Sequence, residues 1–334
     1  MSKKRILTGD RPTGRLHLGH YVGTLENRVR LQDEYECFFI IADFHVLTTR
    51  TENLREIGEN VRQLVLDYLS VGIDPQKSTV YLQSLVPEVT ELCLLFSMLI
   101  SVPRLQRVPT LKDVMRDLKL ETASSGLLIY PVLQAADILM VRSHLVPVGK
   151  DQASHVEVTR EIARRFNTLY GPVFSEPEAM IGRVPTLMGT DGKKMGKSLG
   201  NAVFLSDDAE TVSRKIAGMF TDPTKIRLTD AGHPRTCPVY SYHRAFNKRS
   251  GAGSEIRRTC MAGERGCVQC KKELAIVINE FLDPIRERRA TYEKRPELVN
   301  EIVLSGSRRA RSEAQQTLQL AKEAMGLTYF RGEG

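Results

Sequence analysis

No stretch of this 334-residue chain approaches the ~20 consecutive apolar residues of a membrane span, although 41% of its residues are hydrophobic. The basic opening Met1-Ser2-Lys3-Lys4-Arg5 is not followed by the apolar core of a secretion signal, so the expected compartment is the cytoplasm. There is no internal repeat and no low-complexity stretch. Cysteine is sparse, at six residues, and in a cytoplasmic protein those six are not expected to pair as disulfides. What remains is a chain able to bury one large core or two modest ones. Its net charge is +8, with 23 Lys+Arg against 17 Asp+Glu in residues 201–334. A polyanionic partner meeting the second half fits that excess; a basic enzyme with no such partner fits it too.

The first half alternates short apolar runs with amphipathic ones. Strands are expected at residues 5–8, 37–42, 79–83, 145–148 and 184–187. Between them lie helical patterns such as residues 53–70, with Leu54, Ile57, Val61, Leu64, Val65 and Tyr68 on one face. Strand–helix alternation predicts an α/β fold with a doubly wound parallel sheet and a ligand crevice at the carboxyl ends of its strands. A helical insertion occupies about 87–143. After about residue 201 the pattern is helical throughout, ending in an amphipathic run at 308–325. The expected division is a catalytic domain at 1–200, with a loop at 189–200 placed as a lid, and an all-helical domain at 201–334.

Two short strings carry the chemistry. Pro12-Thr13-Gly14-Arg15-Leu16-His17-Leu18-Gly19-His20 follows the first strand and reads as a glycine turn opening a helix. The missing side chain of Gly19 leaves room for a flat ring, and the helix start and two histidines face a docked anion. Lys194-Met195-Gly196-Lys197-Ser198 sets two lysines and a hydroxyl on a glycine-rich loop, a suitable clamp for a pyrophosphate leaving group. In order and context the pair resembles the two ATP-binding signatures of class I aminoacyl-tRNA synthetases, with Gly196 where that family usually has serine. The resemblance implies a Rossmann-like catalytic domain. It also implies His17, His20, Lys194, Lys197 and Ser198 as catalytic groups. Arg11, Pro12, Thr13, Gly19, Gly149, Lys150, Asp151, Pro185, Met195 and Gly196 join them around ATP with Mg²⁺.

A second stretch narrows the substrate. In Tyr130-Pro131-Val132-Leu133-Gln134-Ala135-Ala136-Asp137-Ile138-Leu139 the spacing puts Tyr130, Gln134 and Asp137 on one helix face. A carboxylate inside so apolar a run demands a donor. The indole N–H of tryptophan is donor-only and matches it. A site built on that bond rejects phenylalanine by about 10⁴-fold or more. The stretch resembles the tryptophan-recognition helix of bacterial tryptophanyl-tRNA synthetases. So do Val146-Pro147-Val148-Gly149-Lys150-Asp151-Gln152, Ala42-Asp43-Phe44-His45 and Gly72-Ile73-Asp74-Pro75. The resemblance implies that Asp137 accepts the indole N–H, and that Tyr130 and Gln152 hold the ammonium group beside Gln134. Leu7, His45, Val146 and Val148 would border the ring. It further implies a homodimeric ligase of L-tryptophan and tRNA(Trp). The interface is expected at residues 88–98, whose row Val89, Leu92, Leu95, Phe96 and Leu99 equally suits a core.

Cys37 and Cys93 sit in apolar runs and read as core. Cys237, Cys260, Cys267 and Cys270, separated by 22, 6 and 2 residues, suit a tetrahedral site that zinc or a 4Fe–4S cluster would fill. Their spacing resembles a subset of tryptophanyl-tRNA synthetases with a 4Fe–4S cluster near the anticodon-binding region, which favours iron–sulfur over Zn²⁺. Arg257, Arg258, Lys271 and Lys272 flank these residues and would form a basic surface there. Tyrosine activation, a non-catalytic tRNA-binding paralogue and a nucleotidylyltransferase acting on another substrate are the rival readings.

Overall fold

The structure is a computed structural model that describes residues 3–49, 55–149, 152–181, 187–197 and 199–329. The first half runs β1 (Arg5–Asp10), α1 (Leu18–His20), a π-helical turn (Tyr21–Leu25), α2 (Glu26–Glu34), β2 (Glu36–Ile41), α3 (Phe44–Leu47), α4 (Arg55–Val71) and β3 (Ser78–Leu82). It continues through α5 (Glu88–Ser97), α6 (Val102–Gln106), α7 (Pro109–Asp117), α8 (Ser125–Met140), β4 (Leu145–Val148), α9 (Ala153–Tyr170) and β5 (Glu178–Ile181). The second half is helical: α10 (Ala209–Ala217), α11 (Pro238–Phe246), α12 (Ala252–Met261), α13 (Cys267–Glu293) and α14 (Pro296–Ala324).

The five strands form one parallel sheet in the order β3-β2-β1-β4-β5. The chain reverses direction across the sheet between β1 and β4, where a doubly wound sheet opens its crevice. Period-two alternation splits each strand between two cores. Ile6, Cys37, Phe39 and Val80 pack on one face with α4 and with Leu274, Ile278 and Leu282 of α13. Leu7, Phe38, Ile40 and Tyr81 pack on the other with α5, α8, α9 and Ala310, Ala314 and Leu318 of α14. The helices beyond residue 201 therefore cover both faces of the sheet.

Four strands fall where the sequence pattern puts them. The fifth is Glu178–Ile181, pairing with β4 from Leu145↔Glu178 to Val148↔Ile181. Of the expected strand at 184–187, Leu187 lies outside any strand and the other residues are not among those described. In Glu-Ala-Met-Ile only the isoleucine favours a strand while Glu and Ala disfavour one, and pairing with β4 completes it. Cys37 and Cys93 are buried, as expected. The row Val89, Leu92, Leu95, Phe96 and Leu99 is buried within the chain, so it is core. The apolar residues that this surface exposes are Leu94, Met98 and Val102.

The edge strand β3 is covered by α14. Ser307 Oγ accepts the Leu82 N–H at 3.2 Å, and a Cβ on Gly306 would stand 1.9 Å from the Val80 carbonyl oxygen. Only glycine permits that approach. Arg5 Nη1–Glu313 (2.6 Å) and Arg311–Glu88 (2.9 Å) fasten the same helix along its length.

Candidate active site

A cavity of about 890 Å³ opens at the β1/β4 crevice. It is lined by Leu7, Arg11, His45, Tyr130, Gln134, Asp137, Val146, Val148, Gly149 and Gln152. All eight residues assigned to tryptophan thus meet in one place, contributed by β1, α3, α8, β4 and the turn before α9. Asp137 is buried in its wall. Burial raises its pKa, opposed by hydrogen bonds from His45 and Gln83. His45 Nε2 lies 3.0 Å from Oδ2, and Gln83 Nε2 donates to both carboxylate oxygens at 2.9 Å. The donor that sequence reasoning assigned to a substrate is therefore supplied in part by the chain itself. Gln83 follows directly on β3 and reaches Asp137 across 54 residues of sequence, a pairing that no local pattern announces. Among the described residues its Oε1 is buried with no partner.

Tyr130 is set by two further cavity residues that sequence analysis did not assign. Its hydroxyl is 2.6 Å from Thr110 Oγ1 and 3.0 Å from His155 Nε2, and Thr110 and His155 bond each other. At the mouth, Asp10 ends β1. Burial would raise its carboxyl, but the Arg28 guanidinium at 2.5 Å overrides that and, with the Tyr68 hydroxyl at 2.8 Å, holds it at about 2.

The first signature lies beside this mouth. A Cβ on Gly19 would come within 3.0 Å of the His17 ring and 3.2 Å of Met195 Sδ, so any side chain there would crowd both where the two signatures meet. Burial lowers His17 to about 3 and His20 to about 4. Both imidazoles are consequently neutral at pH 7. The His17 backbone N–H donates to His20 Nδ1 at 3.2 Å, which leaves the His20 proton on Nε2. At this site His20 is a neutral donor, not a cation.

The loop of the second signature rests on the first. Lys197 Nζ donates to the Gly14 carbonyl (2.9 Å) and Thr13 Oγ1 (3.3 Å), and Met195 is buried in the core. Lys194 is exposed. Asn201, also unforeseen from sequence, knits the loop together. Its Oδ1 accepts the Gly196 N–H at 3.0 Å, and its Nδ2 donates to Asp191 Oδ1 (2.9 Å) and the Lys194 carbonyl (3.0 Å). Lys150, Asp151, Pro185 and Ser198 lie outside the described residues.

Cys237, Cys260, Cys267 and Cys270 line a second, smaller pocket between α11, α12 and the start of α13. As they stand, the described residues include no group of three or more His, Cys, Asp or Glu placed to hold a metal ion. Burial raises the thiols of Cys237, Cys260 and Cys270, which keeps them protonated and uncharged. The surroundings nonetheless suit thiolate ligands: the N–H groups of Val239 and Tyr240 bond Cys237, Arg265 bonds Cys270, and Lys225 lies near Cys260. The flanking cations divide. Arg257 and Lys272 are exposed and Arg258 pairs with Glu264 at 3.0 Å. Lys271 instead turns inward, donating to the Met219 carbonyl (2.6 Å) and Thr221 Oγ1 (2.7 Å).

A parallel sheet whose switch point brings two phosphate-type signatures together beside a deep cavity has its match in a known family. Residues 2–283 match the tRNA synthetases class I (W and Y); the chain belongs to that family and is an aminoacyl-tRNA synthetase. A tryptophan–tRNA ligase of Treponema pallidum is 55% identical over 327 residues, 97% of each chain. One from Thermotoga maritima is 47% identical over 327 residues, covering 97% of this chain and 100% of that one. The crystal structure of tryptophanyl-tRNA synthetase from Campylobacter jejuni with ADP and tryptophan superposes with a TM-score of 0.87 at 35% identity, covering 96% of this chain and 99% of that one. Within the family the chain falls with the tryptophan–tRNA ligases. No described helix is long and apolar enough to cross a membrane.

Proposed function

We propose that this chain activates L-tryptophan with ATP, forming tryptophanyl-adenylate and pyrophosphate, and then transfers tryptophan to the terminal adenosine of tRNA(Trp). The observation that carries the assignment of its site is Asp137, a buried carboxylate at the cavity wall held by Gln83 and His45. Asp137 accepts the indole N–H. Tyr130, fixed by Thr110 and His155, holds the ammonium group with Gln152 and Gln134, and Leu7, Val146 and Val148 flank the ring. Arg11, Pro12, Thr13, Gly19 and His20 take ATP with its Mg²⁺, joined by Gly149, Lys150, Asp151 and Pro185. Lys194 to Ser198 close on the departing pyrophosphate. The tryptophan carboxylate attacks the α-phosphorus in line, so positioning and charge stabilisation suffice and no general base is needed. His20 contributes a neutral N–H to the phosphates, adding no cation to those of the lid.

ATP–pyrophosphate exchange tests this directly. Wild type should exchange with tryptophan and not with tyrosine, and Asp137→Asn should lower kcat/KM for tryptophan by about 10³-fold. Exchange with tyrosine would overturn the substrate.

Three finer features belong to the same proposal. The protein is a homodimer docked through Leu94, Met98 and Val102, which light scattering on Met98→Lys checks. It works in the cytoplasm. The four cysteines hold a 4Fe–4S cluster in preference to Zn²⁺, and binding releases the protons that burial now keeps on the thiols. Bound, the group would anchor α11, α12 and α13 to one another beneath a basic tRNA-facing surface. Iron, sulfide and zinc analysis of anaerobically purified protein distinguishes the two metals. Intact tRNA affinity in a metal-free Cys267→Ser/Cys270→Ser protein would end the anchoring idea.

A further inference from the structure

The buried face of α13 runs Cys270, Leu274, Ile278, Leu282, Ile285, Arg289. It starts at the cysteine pocket and ends with a guanidinium where the stripe calls for an apolar side chain. Arg289 is buried, and it points at an equally unusual residue. Asp67 lies in the apolar run Leu64–Val71 of α4 and is 0% exposed. Arg289 Nη1 donates to Asp67 Oδ1 at 2.7 Å, across 222 residues of sequence. Its remaining nitrogens bond Gln63 and Glu293. The other oxygen, Asp67 Oδ2, accepts the backbone N–H of Leu16 at 2.7 Å. Leu16 is the residue immediately before His17.

A purely structural ion pair here would be poorly repaid. Desolvating both charges costs several kcal/mol, and a well-packed apolar pair often replaces such a bridge without loss. What an apolar pair cannot do is hold one chosen N–H of a loop. Among the described residues, the backbone–backbone bonds that tie the Leu16 segment to distant chain are Leu18 N–H to the Val203 carbonyl (2.9 Å) and Leu205 N–H to the Leu16 carbonyl (3.0 Å), and both run to the stretch that follows the second signature. Asp67 supplies the tie to the body of the protein. Neighbouring contacts keep α13 in register with α4 and that stretch: Arg288 Nε donates to the Ser70 carbonyl (2.6 Å) and Arg286 Nε to the Asp207 carbonyl (2.9 Å).

We propose that Asp67 and Arg289 are a positioning pair for the ATP reaction, through which helix α13 of the helical half sets the placement of the His17–His20 signature. This rests on the reading that this signature meets ATP. Arg289 orients and charge-balances Asp67, Asp67 fixes Leu16, and Leu16 fixes the imidazoles. Neither residue touches substrate. Displacing a reacting group by about 1 Å costs on the order of 10²-fold in rate, so a loosened Leu16 should read out on ATP and not on tryptophan.

The test is steady-state pyrophosphate exchange on the full chain, normalised to active sites by adenylate burst, for Arg289→Ala, Arg289→Lys, Asp67→Asn and Asp67→Asn/Arg289→Gln, with His17→Ala as reference. Arg289→Ala and Asp67→Asn should lower kcat/KM for ATP by about 10-fold or more while KM for tryptophan stays within about twofold. Arg289→Lys should fall between them and wild type. The neutral double variant, which can keep a hydrogen-bonded chain without buried charge, should recover most of the loss. If Arg289→Ala fails to fold, Arg289→Lys and Asp67→Asn carry the test. An unchanged kcat/KM for ATP in those folded variants, beside an impaired His17→Ala, overturns the pair and leaves the site reading standing. So does a KM for tryptophan raised as much as that for ATP, or a loss confined to the active fraction. An unimpaired His17→Ala overturns the site reading, and the positioning role with it.

Discussion

Around the large cavity, buried and half-buried ionisable groups meet partners of a different kind drawn from other elements of the chain. Asp137 meets His45 and Gln83, and Asp10 meets Arg28 and Tyr68. Around the second pocket the converging groups are of one kind. Four thiols face a shared space, and burial keeps at least three of them uncharged. The first site is finished by folding, because its charges are paired before any ligand arrives. The second holds thiols whose charged form burial disfavours, so the metal group proposed for it would have to bring positive charge and displace protons.

The largest effect should come from undoing the pairing at the cavity. Gln83→Ala leaves the Asp137 carboxylate with His45 alone; loss of a buried partner is worth about 3 kcal/mol. Urea denaturation should show that loss, together with weaker tryptophan binding. The chain contains no tryptophan, so the fluorescence of the ligand itself reports binding without background. Next is acid. The unfolded chain takes up protons on His17 and His20 near their ordinary 6.5, the folded protein only near 3 and 4. Stability is therefore full above pH 6.5 and falls as pH is lowered, by a few kcal/mol near pH 4. His20→Asn should flatten that fall in denaturant midpoints taken at pH 7, 5 and 4, and wild-type exchange should show no inflection near 6.5 from these rings.

At the second pocket the expected effect depends on loading. Cys267→Ser/Cys270→Ser should shift the melting temperature by only a few degrees in metal-free protein. After anaerobic loading with iron and sulfide it should lack the added stability that a tightly bound group gives the wild type, about 3 kcal/mol at saturation. Equal melting curves for both loaded proteins would contradict a cluster there. Smallest of all is Gly196→Ser. The added Cβ would stand 3.0 Å from Leu199 Cδ1, but Leu199 is 64% exposed and free to turn aside. Stability should change by no more than about 0.5 kcal/mol, and a large gain in exchange rate would mean that glycine slackens the lid.

Much of this molecule is legible along the chain. Period-two strands, the two signatures and the shared face of Tyr130, Gln134 and Asp137 depend on neighbours in sequence; four of the five strands fall where they were read, and Tyr130, Gln134 and Asp137 share one helix at the cavity wall. What was not legible is who partners whom. Gln83, Thr110, His155 and Asn201 carry no local mark, because their importance arises only when separate elements pack. Asp67 is an instructive omission. It shows the same signal that singled out Asp137, a carboxylate inside an apolar helical run. The residue that accounts for it, Arg289, lies more than two hundred positions away. The apolar row on α5 stayed open between interface and core, and the strand at Glu178–Ile181 went unread, for a related reason: an apolar stripe does not say whether its cover comes from the same chain, and a weak strand is made by its neighbour.

The cover that α14 lays over β3 has a consequence for biosynthesis. An uncovered parallel edge is a template on which another chain can add a strand. Leu82 leaves the ribosome 225 residues before the serine that caps its N–H. At about 5–20 residues per second, the edge stays open for on the order of ten seconds or more of translation. Messages truncated before residue 296 should thus yield a product that associates through that edge, and a separately supplied α14 peptide should suppress the association.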